Sequence, residues 1–216
     1  PQNNYDAFNC MIARGVEGNS VRFGHITDEA HDFIRKITEH FLDDETCAMF
    51  VSFSGGKDST VVSDLVRKAL SKPDIIHIFG NTTLEFPETY DYVQRFKKEN
   101  RKTPMLRAEN KEQDFFKLCD SFGPPSRSLR WCCTIFKTGF IGEKIKRTFG
   151  DKKTILTFYG IRRSESASRS TYERSSGGRK ISQQLVASPI IDWFDYDIWL
   201  YLMTTGIDFN SAYRSC

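Results

Sequence analysis

The chain has 216 residues, of which 39% are hydrophobic and 27% charged, and its formal net charge is +3. These values describe an ordinary globular domain with one substantial core, and so small a charge does not by itself argue for nucleic-acid binding. No apolar run approaches the ~18 residues that a membrane-spanning helix requires. The opening Pro1–Asp6 has no basic stretch followed by an apolar one, so no signal peptide is read there. The first residue is not Met, which points to processing or a fragment. The six cysteines are Cys10, Cys47, Cys119, Cys132, Cys133 and Cys216. Without a secretion signal they read as thiols or metal ligands in a reducing, cytoplasmic compartment.

Residues 1–26 lack a clear period and read as a leader or irregular segment, with one domain expected over 27–216. Thr27 looks like an N-cap, and Ala30, Phe33, Ile34, Ile37, Phe41 and Leu42 recur at helical spacing after it. Cys47–Phe53 is a short, nearly continuous apolar run that suits a strand buried on both faces; Cys47 within it, like Cys10, reads as structural. A Ser/Gly loop follows, and then a helix carrying Val61, Val62, Leu65, Val66 and Leu70. Asp74–Phe79 reads as a strand, Pro87 opens a helix, and Pro104–Arg107 is a weaker strand. Phe115, Phe116 and Leu118 suggest a short helix, and a longer one is expected from about Thr134 to Phe149. Thr154–Tyr159 is a clear strand. The polar stretch 161–184 reads as a long loop, Leu185–Ile191 as a short strand and Asp195–Met203 as a closing helix. Alternating strands and helices imply an α/β fold, with a mostly parallel, doubly wound sheet and helices on both faces.

The strongest chemical signal is Ser54-Gly55-Gly56-Lys57-Asp58-Ser59, between a strand end and a helix start. Glycines let the backbone approach an anion, and the helix start offers unpaired N–H groups with a partial positive charge. Ser54 and Ser59 add hydroxyl donors and Lys57 a point charge. The loop is neither a Walker A sequence nor a Gly-x-Gly-x-x-Gly fingerprint. The hexapeptide resembles the PP-loop of the ATP pyrophosphatase superfamily, also called adenine nucleotide alpha hydrolase-like, whose fingerprint is Ser-Gly-Gly-x-Asp-Ser. That resemblance implies a loop holding the phosphates of an adenine nucleotide.

Further stretches resemble phosphoadenosine-phosphosulfate (PAPS) and adenylyl-sulfate (APS) reductases. Asn81–Tyr90 looks like their Asp-Thr-Gly-x-x-Phe-Pro-Glu-Thr-Tyr, with Asn81 in place of Asp and Thr83 in place of Gly. Gly160–Ser166 is similar to their Gly-x-Arg-x-x-Glu-Ser, with Arg169 beyond it. Ser188–Trp193 with Asp197–Trp199, and Asn210–Tyr213, match two later motifs. The resemblance covers about residues 45–216. It implies that Thr82, Thr83, Gly160, Arg162, Arg163 and Arg169 join loop 54–59 in holding ATP, APS or PAPS. Residues 161–180 carry six basic side chains (Arg162, Arg163, Arg169, Arg174, Arg179, Lys180) against Glu165 and Glu173, which suits an anion-binding lid.

Arg130-Trp131-Cys132-Cys133 is the second informative site. Adjacent cysteines rarely pair with each other, and Arg127 and Arg130 nearby would favour thiolates. In the adenylyl-sulfate reductases a Cys-Cys pair joins a downstream Cys-x-x-Cys to hold a [4Fe-4S] cluster. This chain has no Cys-x-x-Cys and ends at Cys216, so a truncated C-terminus is expected and two cluster ligands are missing. Cys132 and Cys133 are expected to face the cleft of the phosphate loop.

Three functions follow from these motifs. In the first, a sulfonucleotide is reduced by a cysteine thiolate with a thioredoxin-like thiol donor. In the second, a PP-loop enzyme cleaves ATP with Mg²⁺ and adenylates a substrate such as a nucleic acid for sulfur transfer; Asp58 would then contact metal or water, and Lys57 and Asp58 would join the catalytic set. In the third, the domain binds nucleotide without turnover inside a larger assembly.

Overall fold

The computed structural model describes residues 14–41, 47–110, 112, 114–126, 129–150, 154–178 and 184–214, with the side chains of 133, 137 and 138 outside that description. Cys10, Leu42, Arg127, Arg179, Lys180 and Cys216 lie outside the described residues, as does the side chain of Cys133. In chain order the elements are helix α1 (Ser20–Phe41), strand β1 (Cys47–Phe53), α2 (Lys57–Ala69), β2 (His77–Gly80), α3 (Pro87–Glu99), β3 (Met105–Ala108) and α4 (Phe115–Phe122). A π-helix (Cys133–Gly139) then leads into α5 (Phe140–Phe149), followed by β4 (Thr154–Phe158), β5 (Ser175–Gly177), β6 (Gln184–Ala187) and α6 (Asp195–Thr205). Short 3₁₀ turns cover Arg163–Glu165 and Ser211–Arg214.

The described strands form one sheet in the order β3-β2-β1-β4-β6-β5. The pairings β3–β2, β2–β1, β1–β4 and β4–β6 are parallel, and β5 adds antiparallel to β6. Alternation along β1 sends Val51 and Phe53 to one face and Phe50 to the other. Val51 meets α1, α2 and α6 through Ile34, Val62, Leu65 and Ile198, while Phe53 meets Tyr92 and Phe96 of α3. Phe50 packs with Ile145 of α5. A sheet covered on both faces explains why β1 and β4 read as apolar runs without alternation.

Three features depart from the sequence reading. Helix α1 starts at Ser20, not after Thr27, and residues 14–18 are helical too. Gly18 and Gly24 sit in open space, and Phe23 and Ile26 pack on the core. Arg22 clasps the buried Asp197 carboxylate with two hydrogen bonds of 2.6 and 2.9 Å, so tertiary contacts offset the weak helix propensity of glycine. The long loop 161–184 contains strand β5, whose Ser-Ser-Gly sequence carries no apolar alternation. The expected helix over 134–149 begins as a π-helix and becomes α-helical at Phe140.

From β1 the chain winds outward to β2 and β3, then crosses back to place β4 on the other side of β1. The C-terminal ends of β1 and β4 therefore flank a topological switch point, where open α/β sheets bind ligands.

Candidate nucleotide site

Loop Ser54–Ser59 leaves β1 at this switch point and enters α2. Gly55 adopts φ +74°, the left-handed region that glycine occupies without strain, and Gly56 is the N-cap of α2. The loop is fixed by its own hydroxyls. Ser59 Oγ accepts from the Ser54 N–H at 3.2 Å and donates to the Gly56 carbonyl at 2.9 Å. Thr60 Oγ1 lies 3.0 Å from the same carbonyl and 2.8 Å from Tyr92 Oη. Buried Asn210 donates to the Gly55 carbonyl at 3.1 Å and to Thr89 Oγ1 at 3.0 Å, which ties the loop to α3 and to the end of the described chain.

Gly160, just after β4, approaches this helix start more closely than any side chain could. A Cβ there would lie 2.8 Å from the Asp58 carbonyl carbon and 2.8 Å from the Ser59 nitrogen. The glycine that opens the Arg-rich motif thus lets two backbones meet where an anion would sit.

Behind the loop, four charges close on one another. Lys57 Nζ lies 3.1 Å from Asp58 and 3.0 Å from Asp195 at the start of α6. Arg162, only 4% exposed, donates to Asp58 and to Asp195, the latter at 3.1 Å. Burial works against the Lys57 charge, but the hydrogen bond to Asp195 and the Asp58 carboxylate outweigh it, so the pKa rises above the ordinary lysine value. The Asp195 carboxyl moves down in turn: desolvation opposes its charge, and the bond from Lys57 overcomes that.

A cavity of about 520 Å³ opens over the loop, lined among others by Ser54, Gly56, Asp58, Ser59, Glu85, Tyr159, Gly160, Glu165, Arg169, Gln184 and Tyr213. Of the arginines expected at an anion, Arg169 lines it, paired with Glu165. Arg162 and Arg163 do not. Arg162 belongs to the ion network behind the loop, and Arg163 turns to Asp192 and the Tyr172 carbonyl. Tyr213 Oη accepts from the Lys57 N–H at 3.4 Å, and Lys57 stands 5.5 Å above the Tyr213 ring centre.

The Asn81–Phe86 segment borders the same cavity through Glu85, which accepts from Thr82 Oγ1 at 2.7 Å. Neither Thr82 nor Thr83 lines it. Buried Asn81 acts as a hub: it donates to Glu109 at 2.8 Å and accepts from the Thr83 N–H at 3.1 Å and from Tyr90 Oη at 2.7 Å. Thr83 holds φ +62°, costly for a β-branched residue, and its hydroxyl accepts from the Phe115 N–H at 2.8 Å at the start of α4.

Cys132 is half-buried in a separate aromatic cap, where Cys119 and Cys132 pack on Leu118, Trp131 and Phe136. It does not line the cavity over the phosphate loop. Cys132, expected with Cys133 to face that cleft, sits instead in the aromatic cluster. Among the described residues no three His, Cys, Asp or Glu side chains are grouped to hold a metal ion. The described thiols thus do not fit a [4Fe-4S] cluster, which takes four ligands. Nor do the described carboxylates form a cage for Mg²⁺.

Asp195, Tyr159, Gln184, Glu85 and Glu165 were missed as site residues by the sequence. Glu165 and Tyr159 flank the Gly160–Arg162 motif, which was the available signal. Asp195 and Gln184 reach the site only through tertiary folding. Among the described residues no helix is long and apolar enough to cross a membrane.

The chain is 37% identical over 167 residues to one uncharacterized protein of Methanocaldococcus jannaschii and 33% identical over 198 residues to another. It spans 33% and 45% of the length of these two relatives. It is 26% identical to an adenosine 5'-phosphosulfate reductase of Staphylococcus haemolyticus, covering 87% of this chain and 74% of that one. Its fold matches a PAPS reductase of Candida auris with TM-score 0.64 at 15% identity, over 89% of this chain and 90% of that one. It also matches the FMN adenylyltransferase of Candida glabrata, solved with FMN and an ATP analogue, with TM-score 0.65 at 12% identity, over 90% and 61% of the two chains. The family model described as the phosphoadenosine phosphosulfate reductase domain matches residues 48–215. That match covers most of the sequence, and the chain belongs to the phosphoadenosine phosphosulfate reductase domain family.

Proposed function

We propose that this domain binds an adenine nucleotide (ATP, APS or PAPS) with its anionic end over Ser54–Ser59, and serves a sulfonucleotide reductase-type reaction. The observation that carries the reading is the preformed loop at the switch point, against which Gly160 packs at backbone distance. In the reaction, a thiolate attacks the sulfate sulfur of the nucleotide. The S–O bond to the phosphate breaks, AMP or its 3'-phosphorylated form leaves, and the thiol carries the sulfo group. A second thiol then attacks the sulfenyl-type sulfur of that adduct, forms a disulfide and releases sulfite. The described Cys132 lies in the cap, so the reading assigns the attacking thiolate to another group, such as a thioredoxin-like donor. The residues of the chain bind and orient: the loop N–H groups and hydroxyls receive the anion, Arg169 reads its terminus, and Lys57 and Arg162 hold the loop through Asp58 and Asp195.

A second reading is supported by the fold shared with adenylyltransferases. ATP would be cleaved between its α- and β-phosphates, an acceptor such as a nucleic acid would be adenylated, and Mg²⁺ would enter on the nucleotide. A single set of assays separates the readings. Calorimetry with ATP, APS and PAPS reads binding. Sulfite release from APS or PAPS with reduced thioredoxin supports the first, and pyrophosphate release from ATP with Mg²⁺ supports the second. Binding without either product assigns the domain to nucleotide binding within a longer protein. No binding of any of the three ends the nucleotide reading.

A further inference from the structure

We infer that Glu165 is an internal competitor in the cleft: it pairs with Arg169 in place of the ligand's anion, and a ligand binds by exchanging places with it. The inference rests on the nucleotide reading above. Its starting point is a charge imbalance. Among the described residues, the wall of the cleft over the phosphate loop carries three carboxylates (Asp58, Glu85 and Glu165) and one cationic side chain, Arg169. Lys57 and Arg162 stand behind the wall and are already engaged by Asp58 and Asp195. Among the described residues the one guanidinium that reaches the cavity is Arg169, and it is paired with Glu165.

The local backbone builds this pair. Glu165 ends a 3₁₀ turn, and the Arg169 N–H bonds the Ser166 carbonyl at 2.9 Å, so the two side chains face each other four residues apart. The pair is partly solvated: Arg169 is 40% and Glu165 20% exposed. An ion pair so placed is weak and easily exchanged. The Arg162 side chain, by contrast, is 5% exposed and is held by Asp58 and Asp195, with Glu165 at 4.0 Å as a third carboxylate, so it cannot turn to a ligand without giving up these pairings. A competing carboxylate has a chemical consequence. Breaking the Arg169–Glu165 pair costs the same whichever anion takes its place, so Glu165 lowers the affinity of every ligand that reaches Arg169.

The test is a double-mutant cycle read by calorimetry with ATP, APS and PAPS. Glu165→Gln keeps the shape and removes the competitor. It should tighten binding about threefold for each nucleotide that the wild-type protein binds. Arg169→Ala should weaken binding about tenfold. In the Arg169→Ala background the gain from Glu165→Gln should disappear, and in Arg169→Lys part of it should remain. Should the gain persist without Arg169, Glu165 acts through its field alone and the exchange is wrong; no gain at all overturns it equally. A wild-type protein that binds none of the three nucleotides defeats the reading of the site itself, and the exchange with it.

Discussion

The phosphate loop and the aromatic cap are held by opposite means. The loop is fixed by short hydrogen bonds between buried polar groups, and at Gly160 it has no room for a single methyl. The cap is fixed by rings. Phe115 lies 5.4 Å from Trp131, Trp131 6.4 Å from Phe136, and Phe116, Phe122 and Leu129 remain exposed. Hydrogen-bonded loops need particular residues at particular spacings, whereas ring contacts are satisfied by many sequences. That difference explains why the loop is read from an unbroken hexapeptide while the ring packing of the cap is not.

The sharpest way to break the comparison is to damage each half separately. Phe136, fully buried in the cap, should cost about 3–5 kcal/mol when cut to Ala, read by urea unfolding. Nucleotide affinity should stay within about twofold, because the lost contacts belong to the cap. A parallel loss of affinity would show the two halves to be one unit. Behind the loop, Arg162→Ala should cost about 1.5–3 kcal/mol by leaving Asp58 and Asp195 with Lys57 alone, while Arg163→Ala should cost less than about 1 kcal/mol. Equal costs would mean that the ion network does not hold the loop.

Beneath the loop, His77 is buried, with Nε2 2.7 Å from Ser63 Oγ and Nδ1 2.9 Å from the Ile75 carbonyl. Burial lowers its pKa from 6.5 to about 4. Between those values the unfolded chain binds a proton that the folded one refuses. Stability should therefore fall as pH drops from 6.5 to about 4 and then level, by roughly 3 kcal/mol from this group. His77→Asn should flatten that slope in urea midpoints measured across the window. Gly160→Ala, which forces a methyl onto backbone, should cost about 1–3 kcal/mol and weaken nucleotide binding measured by calorimetry. The smallest effect is expected at Cys132. Its alkylation by iodoacetamide, followed by mass spectrometry, should proceed at the same rate with and without adenine nucleotide. Protection by nucleotide would return the cysteine to the cleft.

The sheet, its helices and the loop were legible because their signals are local: apolar runs for β1 and β4, and the unbroken hexapeptide for the loop. The start of α1 was not, since two glycines obscured a helix that Arg22 and Phe23 secure against α6. The charge of the Arg-rich segment was legible, but its direction was not. Arg162, Arg163 and Arg169 are alike in sequence, and only the positions of Asp195, Asp192 and Glu165 in the fold sort them into a brace, a surface clasp and a cleft residue. The place of Cys132 was not legible for a related reason: adjacent thiols suggest a ligand set, while the rings that receive Cys132 in the cap, Trp131 and Phe136, come together only in the fold.

Thr83 sets the terms on which this domain can be recombined. A glycine would hold its left-handed backbone without strain, and the threonine accepts that strain in exchange for a hydroxyl that receives the first N–H of α4. Asn81 fixes the same turn from the other side. A chimera that imports the cap of a relative without residues 81–83 would leave the first N–H of α4 without its hydroxyl acceptor, with Asp114 still capping the helix through the Lys117 N–H, and would join it to a turn shaped for another partner. The cap and this turn are a single transferable part, and the natural cut point for module exchange lies before Asn81, not at the start of α4.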